Sequence, residues 1–126
     1  MQSVKGDFEV SMLPQQDPEF EVGRMTIDKV YSGDVVGTGQ GQMLSHMSAV
    51  KGSAGYVAME KFVGSVAGKQ GSFVLMHCGL MDKGKPSLDI KIVADSGTGE
   101  LTGISGTMSI EVVEGQHVYQ LDYKLN

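Results

Sequence analysis

The chain has 126 residues, a formal net charge of −5 and a hydrophobic fraction of 40%, with a pI near 5.0. This length suits one domain with a substantial core rather than two domains. The acidic balance, with no short window rich in Lys and Arg, argues against nucleic acid as a partner, because phosphate binding needs a concentrated basic face.

The cysteine content and the apolar runs indicate a compartment. Cys78 is the single cysteine, which excludes an internal disulfide and is typical of a reducing environment. No apolar run approaches the roughly 20 residues that span a bilayer, and residues 1–10 lack the apolar region of a signal peptide. The sequence therefore predicts a cytoplasmic protein with no membrane partner.

The first strands are indicated by apolar and polar residues that alternate with a period of two. Residues 7–13 alternate in this way, and a loop with Pro14 and Pro18 follows. A less regular segment over 22–31 places a lysine among apolar residues on one face. The members of this face are Met25, Ile27, Lys29 and Tyr31.

Glycines are concentrated on one face of the next segment, which follows a turn at 32–34. Gly37, Gly39 and Gly41 share this face. A strand that lacks side chains along one face coils tightly and lets a neighbour approach closely. This placement favours a closing barrel over a flat sheet.

The stretch 51–79 reads as two long strands joined by a glycine-containing turn, and it carries Glu60 and His77 within otherwise apolar sequence. If Gly68 and Lys69 are the turn residues, antiparallel pairing places Glu60 directly opposite His77, with Cβ atoms about 4.5–5.5 Å apart. A register changed by one residue would send the two side chains to opposite faces. The assumed register also pairs Ala67 with Gln70, Phe62 with Leu75, and Ala58 with Gly79.

Three further strands complete the predicted fold. They cover 88–94, 101–113 and the cleanly alternating C-terminal segment from 116, with turns at 95–100 and at Glu114 and Gly115. In the strand 101–113, Leu101 is expected on the face opposite to Ile104 and Met108. No helical periodicity is sustained. Together the segments predict one all-β domain over 1–126, an eight-stranded antiparallel up-and-down barrel whose closure removes both sheet edges.

The run from about Gly23 to Tyr123 resembles a small bacterial family of uncharacterised proteins with an allene oxide cyclase-like β-barrel. The residues that carry the resemblance are KGSAGYVAMEKFVGSVAGKQGSFVLMH (51–77) and DSGTGELTGISGTMSI (95–110). The resemblance implies the barrel fold and an interior ligand cavity. It implies no established activity, since a fold does not determine a function.

The inward face of the hairpin is the candidate site. Glu60 and His77 are expected in or near hydrogen-bond contact, with Tyr56 close enough to join them. Such a pair can act as a general acid and base, because burial and nearby charge shift pKa values. The alternative, which we favour for an isolated pair, is a structural contact that fixes strand register. The residues predicted to bind a ligand are Tyr56, Glu60, Phe62, Phe73, Leu75 and His77.

The remaining reactive side chains give weaker signals. His46, His77 and His117 fall on three different predicted strands without local ligand spacing, so no metal site and no cofactor are predicted. Cys78 follows His77 directly and therefore points to the opposite face, where we expect a small buried side chain. The nine methionines are assigned mainly to core packing, although methionine also suits an adaptable cavity.

Three functions are compatible with this sequence. The preferred one is a barrel that binds a small apolar molecule. The second is an isomerase- or cyclase-like enzyme that uses Glu60 and His77, and the third is a filled barrel with a structural or interaction role. The hairpin is also apolar on its outer face, over 57–63 and 74–78, which predicts a homo-oligomer through that face. An N-terminal segment folded across it is the alternative.

Overall fold

A computed structural model describes residues 1–125 and shows nine strands and no helix within that range. The strands are β1 (Gln2–Pro14), β2 (Gly23–Gly33), β3 (Val35–Met47), β4 (Ala54–Val66), β5 (Lys69–Asp82), β6 (Lys85–Ile92), β7 (Thr98–Gly99), β8 (Ser105–Val113) and β9 (Gln116–Lys124). None of residues 1–125 belongs to a helix long and apolar enough to cross a membrane.

The eight long strands form a closed barrel. Each pairs antiparallel with the next long strand along the chain, and β9 returns to pair with β1. The short strand β7 adds to one end of β5. The predicted all-β, eight-stranded up-and-down barrel is therefore confirmed, with one extra strand that the sequence did not indicate.

Three hairpins use the same two-residue turn, in which glycine takes the second place. The first turn residues, Ala67, Lys83 and Glu114, have φ angles of 48°, 49° and 51°, and the glycines after them have 84°, 88° and 80°. Positive φ at both central residues defines the type I′ turn, whose twist matches that of the flanking strands.

This turn chemistry corrects the predicted register of the β4–β5 hairpin. The turn is Ala67–Gly68, not Gly68–Lys69, so Val66 pairs with Lys69. Glu60 lies opposite Leu75, and His77 lies opposite Ala58. Phe62 pairs with Phe73, and Tyr56 pairs with Gly79. The prediction that Glu60 and His77 are direct cross-strand partners is wrong, but both still point inward, because the pairing changed by two residues.

One end of the barrel is closed by the segment between β6 and β8. Leu101 and Ile104 are fully buried there, within consecutive turns held by hydrogen bonds such as Ile104 N to Leu101 O at 3.1 Å. The predicted strand over 101–113 therefore begins only at Ser105. Because the chain turns rather than alternates at Leu101, this side chain enters the core instead of facing away from it.

The core fills the half of the barrel next to this closed end. Tyr31 packs edge-on against Phe62 and Tyr119, with ring centroids 5.5 Å and 5.7 Å apart, and Phe62 lies 5.0 Å from Phe73. All four rings are at most 2% exposed. Aromatic pairs at these separations are favourable beyond the area that they bury.

The opposite end is open. Here β6 and β8 diverge, since they pair only at Ile90–Met108 and Lys91–Thr107. We call this end the mouth. Its inward register positions carry exposed apolar side chains, among them Met12, Met47, Met81, Leu88 and Val112. Among the nine methionines only Met108 is buried, so their assignment to core packing is wrong.

Candidate functional site

A buried ion pair lies in the barrel interior, between the core and the mouth. Lys29 Nζ and His77 Nε2 each lie 2.9 Å from Glu60 Oε1, and the Tyr31 hydroxyl donates to Glu60 Oε2 at 2.5 Å. Glu60 is 1% exposed. We refer to Lys29, Tyr31, Glu60 and His77 as the ion cluster. Its carboxylate accepts three hydrogen bonds, which compensates for its removal from water.

Bare glycines on β3 allow the ion cluster to form. Lys29 is on β2 and Glu60 is on β4, so β3 lies between them and their backbones are about 10 Å apart. Gly39 pairs with Lys29, and Gly41 pairs with Glu60. A Cβ atom at position 39 would overlap the Glu60 carboxylate. The sequence predicted that a neighbour would approach the glycine face of β3 closely. That neighbour is the side chain of Glu60, which crosses β3 to reach Lys29.

The neighbours of Glu60 keep it ionised. Burial alone would raise the pKa of Glu60, but the His77 hydrogen bond, the charge of Lys29 and the Tyr31 hydroxyl together lower it to about 2. Burial, reinforced by the Glu60 charge, raises the pKa of Tyr31 far above its usual value. Tyr31 therefore remains a hydrogen-bond donor at any physiological pH.

Sequence reasoning found two members of the ion cluster and missed the other two. The contact between Glu60 and His77 is present, as expected. Tyr56 was expected to join them, but Tyr31 is the tyrosine that hydrogen bonds to Glu60. The available signal was Lys29, a single cation on the otherwise apolar face of β2. A lysine on a buried face requires a carboxylate partner, and Glu60 is the acidic residue that the sequence places on an inward face.

Lys29 is also held by aromatic rings. Its Nζ atom lies 4.6 Å from the centroid of the Phe8 ring, within the range of a cation–π contact. The Phe8 ring in turn stacks on His117, with centroids 5.1 Å apart. This arrangement accounts for His117, which is half-buried on β9.

A pocket of about 310 Å³ opens at the mouth. Four neighbouring strands, β3 to β6, supply its walls, and most of the lining side chains are apolar. The inward-facing members are Met43, Ser45, Met47, Ala54, Tyr56, Gly79, Met81, Pro86 and Leu88. Its volume is at the lower end of the range of small-molecule sites.

The residues predicted to bind a ligand are distributed over two regions. Tyr56 lines the mouth pocket, and its ring lies where a side chain at Gly79 would be. Glu60 and His77 lie in the ion cluster. Phe62, Phe73 and Leu75 are at most 1% exposed and pack in the core on the far side of the cluster.

The other reactive residues lie apart from the ion cluster. His46 is exposed on β3, and within residues 1–125 no group of three or more His, Cys, Asp or Glu side chains could hold a metal ion. Cys78 is exposed on the outer face. It does point away from His77, but it is not buried by its own chain, since no part of residues 1–125 covers that face.

A second concavity lies on the outer wall of the barrel. It is a groove of about 790 Å³ across β2 to β6, with apolar residues on the central strands and charged residues on the outermost ones. The outward-facing members are Arg24, Gln42, Leu44, Val57, Met59, Met76, Cys78, Asp89 and Lys91. We refer to this surface as the outer groove.

Fold and site together define a small closed β-barrel with a buried ion cluster below an apolar mouth. The chain belongs to DUF3224, a family of proteins of unknown function, whose model matches residues 4–123. It is similar to a crystal structure of a protein of unknown function from this family, from Shewanella oneidensis MR-1, with a TM-score of 0.96 and 45% sequence identity over 100% of this chain and 98% of that one. No curated protein matched. The resemblance to an uncharacterised bacterial barrel family is confirmed.

Proposed function

We propose that this protein binds a small apolar molecule in the mouth of the barrel. The observation that carries the proposal is the mouth pocket of about 310 Å³, formed by inward-facing residues of four adjacent strands. Met43, Met47 and Met81 contribute flexible, polarizable side chains that adapt to irregular ligands. The apolar residues exposed around it would gain burial from a ligand.

Binding is favoured over acid–base catalysis by the state of Glu60. A general base or acid works best when its pKa lies near the working pH. The pKa of Glu60 is about 2, and its oxygens are occupied by three donors. Glu60 is therefore a poor proton acceptor at neutral pH. A wholly filled barrel is less compatible with the open mouth.

The first test is native mass spectrometry of freshly purified protein, followed by titration with the uncharged dye N-phenyl-1-naphthylamine. We expect saturable dye binding, whether or not the purified protein also retains a molecule. Leu88→Glu puts a charge in the mouth pocket and should weaken dye binding at least tenfold, about 1.4 kcal/mol. Leu44→Glu, the matched change in the outer groove, should leave binding unchanged. Absence of saturable dye binding, or loss only with Leu44→Glu, would overturn the proposal.

We also propose that the outer groove packs against a second copy of this chain. The outer wall is asymmetric. On β4 and β5 the outward residues are mainly apolar, and Val57, Met59, Val63 and Met76 are each about half exposed. On β1 the outward residues from Ser3 to Ser11 are all polar or charged, namely Ser3, Lys5, Asp7, Glu9 and Ser11, and Leu13 at the strand end is the apolar exception. Soluble proteins rarely leave large apolar patches uncovered.

Charge at the rim of the outer groove favours a copy of the same chain as the occupant. Asp89 and Lys91 lie two residues apart on the outward face of β6. A twofold axis that passes close to these two residues would pair Asp89 of each copy with Lys91 of the other, since twofold contacts are reciprocal. We further propose a cytoplasmic location, because a single cysteine with no disulfide partner in the chain suits a reducing compartment.

A further inference from the structure

The ion cluster fixes which nitrogen of His77 carries hydrogen. Glu60 Oε1 lies 2.9 Å from His77 Nε2, and an ionised carboxylate only accepts hydrogen bonds. Nε2 must therefore donate. Lys29, 2.9 Å from the same oxygen, already balances the charge of Glu60. A neutral imidazole is sufficient to donate this bond, and its second nitrogen, Nδ1, is then a hydrogen-bond acceptor.

Nδ1 of His77 is an acceptor without a protein partner. No hydrogen bond joins it to any of residues 1–125, although His77 is only 5% exposed. Buried polar atoms are nearly always paired, and every fully buried side-chain nitrogen or oxygen in that range has a partner. Nδ1 therefore keeps contact with solvent.

The register places His77 next to the mouth pocket, one inward position below Gly79, which lines it. Met43, Ala58 and His77 are at one level, because Met43 pairs with Ala58 and Ala58 pairs with His77. Met43 lines the pocket. The next inward position toward the mouth is Gly79, where the Tyr56 ring lies in place of a side chain. A ligand seated at this level would contact the Tyr56 ring and approach His77.

We infer that the mouth selects apolar molecules carrying a hydroxyl or N–H group, and that His77 Nδ1 accepts the hydrogen bond from that group. This inference rests on the proposed binding function and names the class of ligand. Glu60 has the role of positioning residue, because it holds the imidazole in the tautomer that leaves Nδ1 free. An unpaired acceptor just beneath an apolar pocket discriminates against molecules that reach it and leave it unsatisfied.

The test compares 2-naphthol with 2-methoxynaphthalene, which keeps the oxygen but has no hydrogen to donate. At pH 8 we expect 2-naphthol to bind about tenfold more tightly, which corresponds to about 1.4 kcal/mol. His77→Gln keeps one donor for Glu60 and one acceptor for the ligand, so it should retain the preference. His77→Phe should lose it. His117→Gln, the matched change on the Phe8 side of the mouth, should have no effect.

Each outcome is informative. Equal binding of both molecules would overturn the inference while the proposed binding function stands, whereas absence of binding by either would overturn that function. A preference that persists in His77→Phe would assign the acceptor elsewhere. If His77→Phe does not fold, long-range ¹H–¹⁵N correlation spectra of the native protein replace it. Hydrogen on Nε2 and a shift of Nδ1 on addition of 2-naphthol are expected, and hydrogen on Nδ1 would overturn the inference.

Discussion

Gly39 on β3 lies directly beneath the carboxylate of Glu60 on β4, so that a methyl group at position 39 would overlap Glu60 Oε2. The missing side chain gives Glu60 room to reach Lys29 on β2. A glycine that is unfavourable for an isolated strand is thus required for the only buried ion pair between lysine and a carboxylate in residues 1–125. The free energy of unfolding should therefore depend on the absence of a side chain at Gly39.

Gly39→Ala should lower the free energy of unfolding by about 3 kcal/mol, since it overpacks the interior and separates the buried ion pair. Urea denaturation measures the change. Gly55→Ala is the matched control, because a Cβ there would lie at an ordinary 3.8 Å from the Gly79 carbonyl. Similar losses in the two variants would contradict this explanation.

Lys29→Met should destabilise the protein by about 3–5 kcal/mol, because Glu60 would remain buried without its cation. Adding Glu60→Gln removes the uncompensated charge and should recover a large part of this loss. A double-mutant cycle by chemical denaturation measures the coupling. If the two single losses simply add, Lys29 and Glu60 do not act as a pair.

Stability should fall in acid because of Glu60. Its pKa is lowered from an ordinary value of 4.5 to about 2 in the folded protein. The ionised carboxylate therefore stabilises the fold fully above about pH 4.5, and this contribution, about 3 kcal/mol, is lost as the pH falls toward 2. Melting temperatures between pH 6 and pH 2 should decline less steeply for Glu60→Gln. Equal slopes for the two proteins would refute the assignment.

Met59→Glu should convert the proposed oligomer into a monomer, because it places an unpaired charge in the outer groove, where Met59 is half exposed. Light scattering coupled to size-exclusion chromatography measures the mass. Ser109→Glu, on the outward face of β8, is the control and should leave the mass unchanged. A strictly monomeric wild-type protein at micromolar concentration would exclude the interface.

The sequence by itself determined the strands and their faces. Alternation is a local property, because consecutive side chains of a strand point to opposite sides. It therefore placed Glu60 and His77 on an inward face even though the assumed turn was wrong. The glycine in the second place of Lys83–Gly84 and Glu114–Gly115 was a signal for the true turn, Ala67–Gly68. Where alternation gives way to turns, near Leu101, the sequence prediction was wrong.

Only the tertiary structure decided which side chains meet inside the barrel. Tyr31 and Glu60 are 29 residues apart in the chain, and Lys29 and Glu60 are 31 apart. Their contact depends on the stagger of β2, β3 and β4, which is set by turn geometry and by closure of β9 onto β1 rather than by any local pattern. The open mouth is likewise a tertiary feature, since in residues 1–125 β6 and β8 pair only at Ile90–Met108 and Lys91–Thr107 and separate toward that end.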